Sequence, residues 1–416
     1  MQNFLIRSGK SPFRAASALE TLNKKFTLSN TGNLLFQHSV FRAIHSPDNN
    51  YIAIQDQLMS NEEISAINNH FSALFLPFAN AFRPSWKKNL NIWIENLERI
   101  HIPVIVCGIG AQCVTNDPIS ELSNINEEVV KFCSLVLRNA ASIGVRGQFT
   151  ADYLASLGIT DCDIIGCPSL FYFGDTLSSH KAVHESDFER IALTFSPQSP
   201  DKLSKKNPEI SHSLQLLETL VESHKKKKFH YFAQETNELA KLIWNTDRLV
   251  LKTLSRKLGE LPTYYPIDSH IWIENLRQYD LSIGTRLHGC IAGVLAGTPS
   301  LLLCHDSRTS EVANFLHLPH VNQSEISTLD FHKVSELINE SRMHTEFAGH
   351  YQNFENFLRK NTREFLRGFQ FYSNLGHYDS NIENIGFPDT LFSDTYPNPS
   401  DLNEKINHIY KLQNKK

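Results

Sequence analysis

Short apolar runs alternate with stretches of helical spacing along most of this chain. Residues 71–78, 103–107, 190–195, 229–233, 281–283 and 300–304 have the length and branched or aromatic content of buried strands. Shorter strands are read within 141–150 and at 164–165, and 262–266 reads as extended. Between them, residues 34–44, 90–100, 126–139, 150–157, 210–223, 239–258 and 269–278 predict helices. In the first of these, Leu34, Leu35, His38, Phe41 and Ile44 recur on one face. Strands and helices in this alternation predict parallel α/β sheets. The polar stretch 176–189 divides the series, so two Rossmann-like domains are expected, at 1–180 and 181–325, facing a cleft. The first 28 residues are weakly patterned and predict no element. Beyond Pro319 the pattern turns helical, at 327–341, 350–369 and 401–413. The segment 326–416 is therefore expected to be helical and to pack back on the body. Its face of Tyr351, Phe354, Phe357, Leu358, Phe365 and Phe369 is too apolar to leave in water.

Composition changes this picture little. A chain of 416 residues exceeds what one core supports, in keeping with two domains. Its 41% hydrophobic and 20% charged residues are those of an ordinary globular protein. A net charge of −4 gives no argument for nucleic acid or an anionic membrane as partner. No apolar run approaches the length of a membrane span, and residues 1–19 lack the apolar core and cleavage site of a signal peptide. The seven cysteines include no Cys-x-x-Cys pair. Cys107, Cys133, Cys290 and Cys304 sit in apolar strands or helices, which favours reduced thiols in a cytoplasmic protein over a metal site.

The candidate chemistry gathers where strands end. Residues 281–283 turn at Gly284, present Arg286 and His288, and continue as a small-residue helix closed by Gly297 and Pro299. A helix N-terminus framed by an arginine and a histidine suits an anion. The strand within 141–150 delivers Arg146 in the other half. Residues 103–107 run into Gly108-Ile-Gly-Ala-Gln112, where glycines let backbone approach a ligand; a plain strand-end turn is the alternative. Residues 30–33, Asn-Thr-Gly-Asn, open the first helix as a substrate contact or an ordinary cap. For Arg286 the bland alternative is a buried ion pair with Asp280 or Asp306. For His288 it is a hydrogen bond to backbone.

Taken together, these pieces resemble the polysaccharide pyruvyl transferases. They are Asn-Thr-Gly-Asn at 30–33, Gly-Ile-Gly-Ala-Gln at 108–112 and Val-Arg-Gly-Gln-Phe-Thr at 145–150. Asp-x-x-x-Trp at 268–272 follows, then Tyr-Asp-Leu-Ser-Ile-Gly-Thr-Arg-Leu-His at 279–288 and His-Asp-Ser-Arg-Thr at 305–309. Asn33 stands where the commoner form has an acid. The resemblance spans about residues 31–319 and implies a GT-B-like fold of two facing domains. It implies transfer of the enolpyruvyl unit of phosphoenolpyruvate onto two hydroxyls of a sugar, giving a pyruvate ketal and phosphate, with no cofactor and no metal. The partners so implied are phosphoenolpyruvate and a sugar or glycan acceptor.

The chemistry of that reaction matches the residue types. Planar arginine forks suit the carboxylate and the phosphate of the donor, with Arg286, Arg146 and Arg308 the candidates. His288 is the candidate for proton transfer and Arg286 its partner as a catalytic residue, with Asn33, Gln112 and Leu287 candidates for further substrate contacts. Two other functions fit the same residues. One is a GT-B glycosyltransferase in which the Arg–His pair holds the diphosphate of a nucleotide sugar. The other is a non-catalytic glycan-binding member.

Overall fold

The computed structural model describes residues 1–113, 121–178, 181–195, 208–244, 258, 261–322, 325–362, 375–388 and 390–392. The first half holds β1 (Asn3–Arg7), β2 (Asn50–Ile54), β3 (Ala73–Pro77), β4 (Val104–Cys107), β5 (Ile143–Val145) and β6 (Cys162–Ile164). Four of these are parallel in the order β2-β1-β3-β4, and β5 and β6 form a parallel pair. Ile109, just past β4, bridges Val145 in the same sense and joins the pair to the sheet. The second half holds β7 (Arg190–Thr194), β8 (Lys228–Phe232), β9 (Thr263–Tyr265), β10 (Leu281–Gly284), β11 (Ser300–Cys304), β12 (His320–Asn322) and β13 (Leu391–Phe392). Their order is β12-β11-β10-β7-β8-β9-β13, with only β13 antiparallel. Counted from β7 this is the doubly wound order 3-2-1-4-5-6, and the order reverses between β7 and β10. The first sheet reverses between β1 and β3. The carboxyl ends of strands flanking such a reversal form a crevice that holds ligands. The fold is therefore α/β, with two Rossmann-like halves.

The strands β3, β4 and β11 are buried at every position, as parallel strands covered on both faces are. β1 is a correction to the sequence reading. It lies inside the first sheet, yet its apolar core is only Phe4, Leu5 and Ile6 between Asn3 and Arg7, too short to show a period. β2, also unpredicted, is an edge strand whose residues are half-buried or exposed. The unpredicted helix Asn61–His70 opens with a capping box, Ser60 and Glu63 each satisfying the other's backbone N–H. Of the stretch 239–258, Thr236–Trp244 is helical and 245–257 lie outside the described residues. The stretch 401–413 and the side chains of Phe365 and Phe369 also lie outside them.

The two halves share a core beneath the cleft. Leu35 and Phe36 of the helix Gly32–Ala43 pack in one cluster with Leu287, Cys290 and Ile291 of the helix Leu287–Ala296. Phe347, Phe354 and Phe357 of the helix Met343–Thr362 join that cluster, and Phe354 stacks on Phe171 with centroids 5.3 Å apart. A buried ion pair, Lys10 to Asp268, ties the loop after β1 to the helix Ser269–Leu276. No described helix is long and apolar enough to cross a membrane.

Candidate functional site

A cleft of about 870 Å³ opens above the shared core, within the roughly 300–1,000 Å³ of ligand sites. Strand ends supply its walls. β1 delivers Arg7, and the chain leaving β3 delivers Phe78, Asn80 and Arg83. Arg146 follows β5 directly, Glu235 stands three residues past β8, and β10 leads into Arg286 and His288. Arg308 lies one turn into the chain after β11. Two helices, Gly32–Ala43 and Leu287–Ala296, begin at this cleft; Asn30 Oδ1 accepts from the Gly32 N–H at 2.8 Å, and Arg286 makes no side-chain cap bond to the second. Their leading N–H groups add partial positive charge.

Arg146 is 1% exposed. It donates from Nε to the Gly108 carbonyl at 2.9 Å and from Nη1 to Asn80 Oδ1 at 3.1 Å, and its other terminal nitrogen lies 3.8 Å from Cys167 Sγ. Among the described residues no carboxylate stands within ion-pair distance of it. Burial pushes its pKa down, and the nearby Arg308 charge adds to that. Arg308 pairs with Asp306 at 3.3 Å. Arg83, a site residue the sequence reading did not single out, donates to Gln112 Oε1 at 3.2 Å. Burial and the Arg308 charge bring its pKa down to about 10. The Nε groups of Arg83 and Arg308 are both buried with no hydrogen-bond partner among the described residues. Asp306, held at about 2 by Arg308 and its helix-capping bonds to Thr309, is ionised. Among the described residues only Arg308 of these three guanidinium groups is ion-paired, and two buried Nε donors lack partners, an arrangement that favours an anion.

Arg286 differs. Its guanidinium is ion-paired with Glu235, which raises its pKa. The sequence reading named Asp280 and Asp306 as alternative partners, and neither is used. Asp280 instead accepts from the backbone N–H groups of Glu189 and Arg190. Glu235 arrives from β8, far in sequence, and no local spacing announces it.

His288 sits between these groups. Its Nε2 is 3.7 Å from Cys167 Sγ, and its ring lies 6.3 Å from that of Phe36. Burial, then the charges of Arg146, Arg308 and Arg286, hold its pKa well below the ordinary imidazole value, so it is neutral at pH 7. A Cβ on Gly32 would lie 2.5 Å from His288 Nδ1 and 2.8 Å from its Cβ and Cγ. The Asn-Thr-Gly-Asn turn is thus glycine-bearing because an imidazole occupies the space.

The remaining candidates take different places. Asn33 lines the cleft, but its amide donates to the carbonyls of Thr27 and Leu28, at 3.1 and 3.0 Å, and holds the loop before it. Leu287 reaches the cleft wall while 5% exposed, with its side chain in the shared core. Gln112 stands behind the wall, because its amide is engaged by Asn80, Arg83 and Asp306. Its role is to join the halves. The glycines of Gly108-Ile-Gly make room for protein rather than ligand. A Cβ on Gly108 would meet Pro168 Cδ at 2.7 Å, and one on Gly110 would meet Arg146 Cδ at 3.0 Å. Glu311 also lay outside the sequence reading. It accepts from the Thr150 N–H at 3.1 Å and the Thr150 hydroxyl at 2.9 Å, and burial raises its pKa to about 7.

The sequence profile of the polysaccharide pyruvyl transferase family matches residues 48–307, more than half of the chain. No curated protein matches. The fold is similar to a functionally uncharacterised protein of Klebsiella pneumoniae at 13% identity and TM-score 0.40, covering 76% of this chain and 88% of that one. It is similar to the UDP-GlcNAc 2-epimerase of Methanocaldococcus jannaschii, solved with UDP-GlcNAc and UDP. There the identity is 10%, the TM-score 0.46, and the coverage 86% of this chain and 99% of that one. Anabaena HepE, solved with UDP and glucose, gives 10% identity, TM-score 0.42 and coverage of 92% and 100%.

Proposed function

From the premise that the chain belongs to the polysaccharide pyruvyl transferase family, we propose that it transfers the enolpyruvyl group of phosphoenolpyruvate to a sugar of a surface polysaccharide or its precursor. The observation that carries this reading is the buried, carboxylate-free Arg146 beside Arg308, Arg83 and a neutral His288. A small ligand with two anionic groups meets several guanidinium donors there, and their charge also stabilises phosphate as it leaves. Arg286, neutralised by Glu235, acts at the edge of this set.

In the reaction a proton is added to the methylene carbon of the donor, leaving oxocarbenium character at the carbon that bears the phosphate. One sugar hydroxyl bonds to that carbon, the phosphate leaves with its bridging oxygen, and a second hydroxyl closes the ketal. Of the two hydroxyl protons, one ends on the new methyl group and one on phosphate. Neutral His288 takes the proton of an attacking hydroxyl, and as imidazolium it hands a proton on. Donor binding adds negative charge beside it and raises its affinity for that proton. The free thiols, six of them buried, suit a cytoplasmic reaction.

Phosphate release from phosphoenolpyruvate, screened against a panel of sugar acceptors, tests the reading. Acceptor-dependent release with a ketal product by mass spectrometry is expected. Hydrolysis of a nucleotide sugar without such release would favour a glycosyltransferase instead.

A further inference from the structure

The cleft is larger than a three-carbon donor, and its walls differ in chemistry along their length. Around Arg146 it is cationic and short of acceptors. Toward β1 it is neutral and aromatic. Arg7 spends its donors on protein, Nε and Nη2 on Asp56 at 2.6 Å each and Nη1 on the Pro77 carbonyl at 3.1 Å. Asp56 accepts in addition from Trp93 Nε1 at 2.7 Å. That ion pair is closed and offers no free charge. Against it stands Trp86, its ring pinned edge-on to Phe78 with centroids 5.3 Å apart and the Arg7 guanidinium 5.9 Å away. The ring is half-buried and faces the cleft. Ser85 and Asn89 line the same stretch, and neither side chain hydrogen-bonds a described residue.

The two regions are joined by one short segment. Arg83 precedes the 3-10 turn Pro84–Trp86, which runs into the helix Lys87–Arg99. Arg83 is the extended residue that leads into the turn, and Asn89, three residues after Trp86, lies in the first turn of the helix on the same side. Arg83, Trp86 and Asn89 all reach the cleft at that spacing.

We propose that Trp86, Ser85 and Asn89, backed by the closed Arg7–Asp56 pair, form the acceptor subsite and take an uncharged pyranose ring. The inference deepens the transferase reading and rests on it for the word acceptor. The indole face covers the apolar face of the sugar, and the hydroxyl and amide pair with its equatorial oxygens. Arg83, three residues before Trp86 on the same segment, lines the cleft beside it and holds the donor. Lys25, exposed at the rim, stays in solvent.

Saturation-transfer NMR with the methyl pyranosides of glucose, galactose, mannose and N-acetylglucosamine reads this subsite without turnover. At least one is expected to bind, and Trp86→Ala and Asn89→Ala each weaken it about tenfold, equal to about 1.4 kcal/mol. Trp86→Phe recovers part of the affinity, and phosphoenolpyruvate affinity by calorimetry stays within about twofold in the Trp86 variants. Absence of binding by all four sugars, or equal binding in Trp86→Ala, would overturn the subsite. Should Trp86→Ala fail to fold, Trp86→Phe and Asn89→Ala carry the same test. Sugar binding lost on these substitutions in a protein that never releases phosphate would leave the subsite standing and refute the reaction. Phosphate release with an unchanged sugar KM in Trp86→Ala would do the reverse.

Discussion

Gly32→Ala isolates the contact between the two halves at the site. Gly32 is the first residue of its helix and has no left-handed φ, so alanine costs nothing in backbone strain. In the helix interior the exchange would stabilise by up to about 1 kcal/mol. The new methyl, however, lands 2.5 Å from His288 Nδ1 and 2.8 Å from His288 Cβ. Ordinary contact needs about 3.5 Å or more, so the imidazole and the start of its helix must retreat by roughly 0.7–1 Å. The His288 Cβ lies next to backbone, and a rotamer change alone does not relieve the clash. A misplacement of about 1 Å in a catalytic group costs on the order of 100-fold in rate, about 2.7 kcal/mol. Overpacking costs about 1–3 kcal/mol of stability, partly offset by the helix gain. The expected result is a melting temperature within a few degrees of wild type, with acceptor-dependent phosphate release about two orders of magnitude slower. Turnover within threefold of wild type in a folded Gly32→Ala protein would show that His288 position does not govern the reaction.

His288→Gln keeps the side chain's size and hydrogen bonding but cannot carry a proton, so turnover should fall about 100-fold with donor affinity little changed, by steady-state kinetics and calorimetry. In the wild type the acid limb of kcat/KM should lie below pH 6.5, because burial and three arginines lower the His288 pKa and the neutral form persists as pH falls; a limb centred above pH 7 would argue against His288 as base. Arg146→Lys should weaken phosphoenolpyruvate binding tenfold or more, since an ammonium cannot reproduce the fork, whereas Arg286→Lys should cost less because Glu235 already neutralises that side chain. Equal losses would place Arg286 in the donor site proper. His38, buried and lowered to about 4, binds its proton more weakly folded than unfolded. Its contribution is complete above pH 6.5 and lost as pH falls toward 4, worth about 3 kcal/mol. Urea melts at pH 7 and 4.5 should show that loss, reduced in His38→Gln.

Much of the architecture was legible because buried parallel strands write themselves as continuous apolar runs. β4, β10 and β11 fall within a residue of their predicted positions. β1 was not legible, since three apolar residues carry no period and its burial comes from distant residues, Leu35, Phe36 and Phe41 in one cluster with Phe4 and Ile6, and Ile64 and Ile67 in another with Leu5. At the site, Arg146, Arg286, His288 and Arg308 were readable as polar groups just past strand ends, and all four line the cleft. Arg83 was hidden six residues beyond β3, ahead of a proline, although it carries the same strand-end signal at longer range. Glu235 and Cys167 were invisible for a different reason. They matter through partners dozens of residues away, and no spacing within either segment encodes that meeting.

The core shared by the helices Gly32–Ala43, Leu287–Ala296 and Met343–Thr362 has a consequence for how the protein comes apart. Two sheets on separate cores would melt in two steps and hinge freely about a linker. Here either half can leave only by stripping apolar surface from the other and from the C-terminal helix, so heat should take the chain in one cooperative transition. The same coupling ties the floor of the cleft to both halves. Opening that floor would expose apolar surface, so a ligand should enter and leave through the mouth.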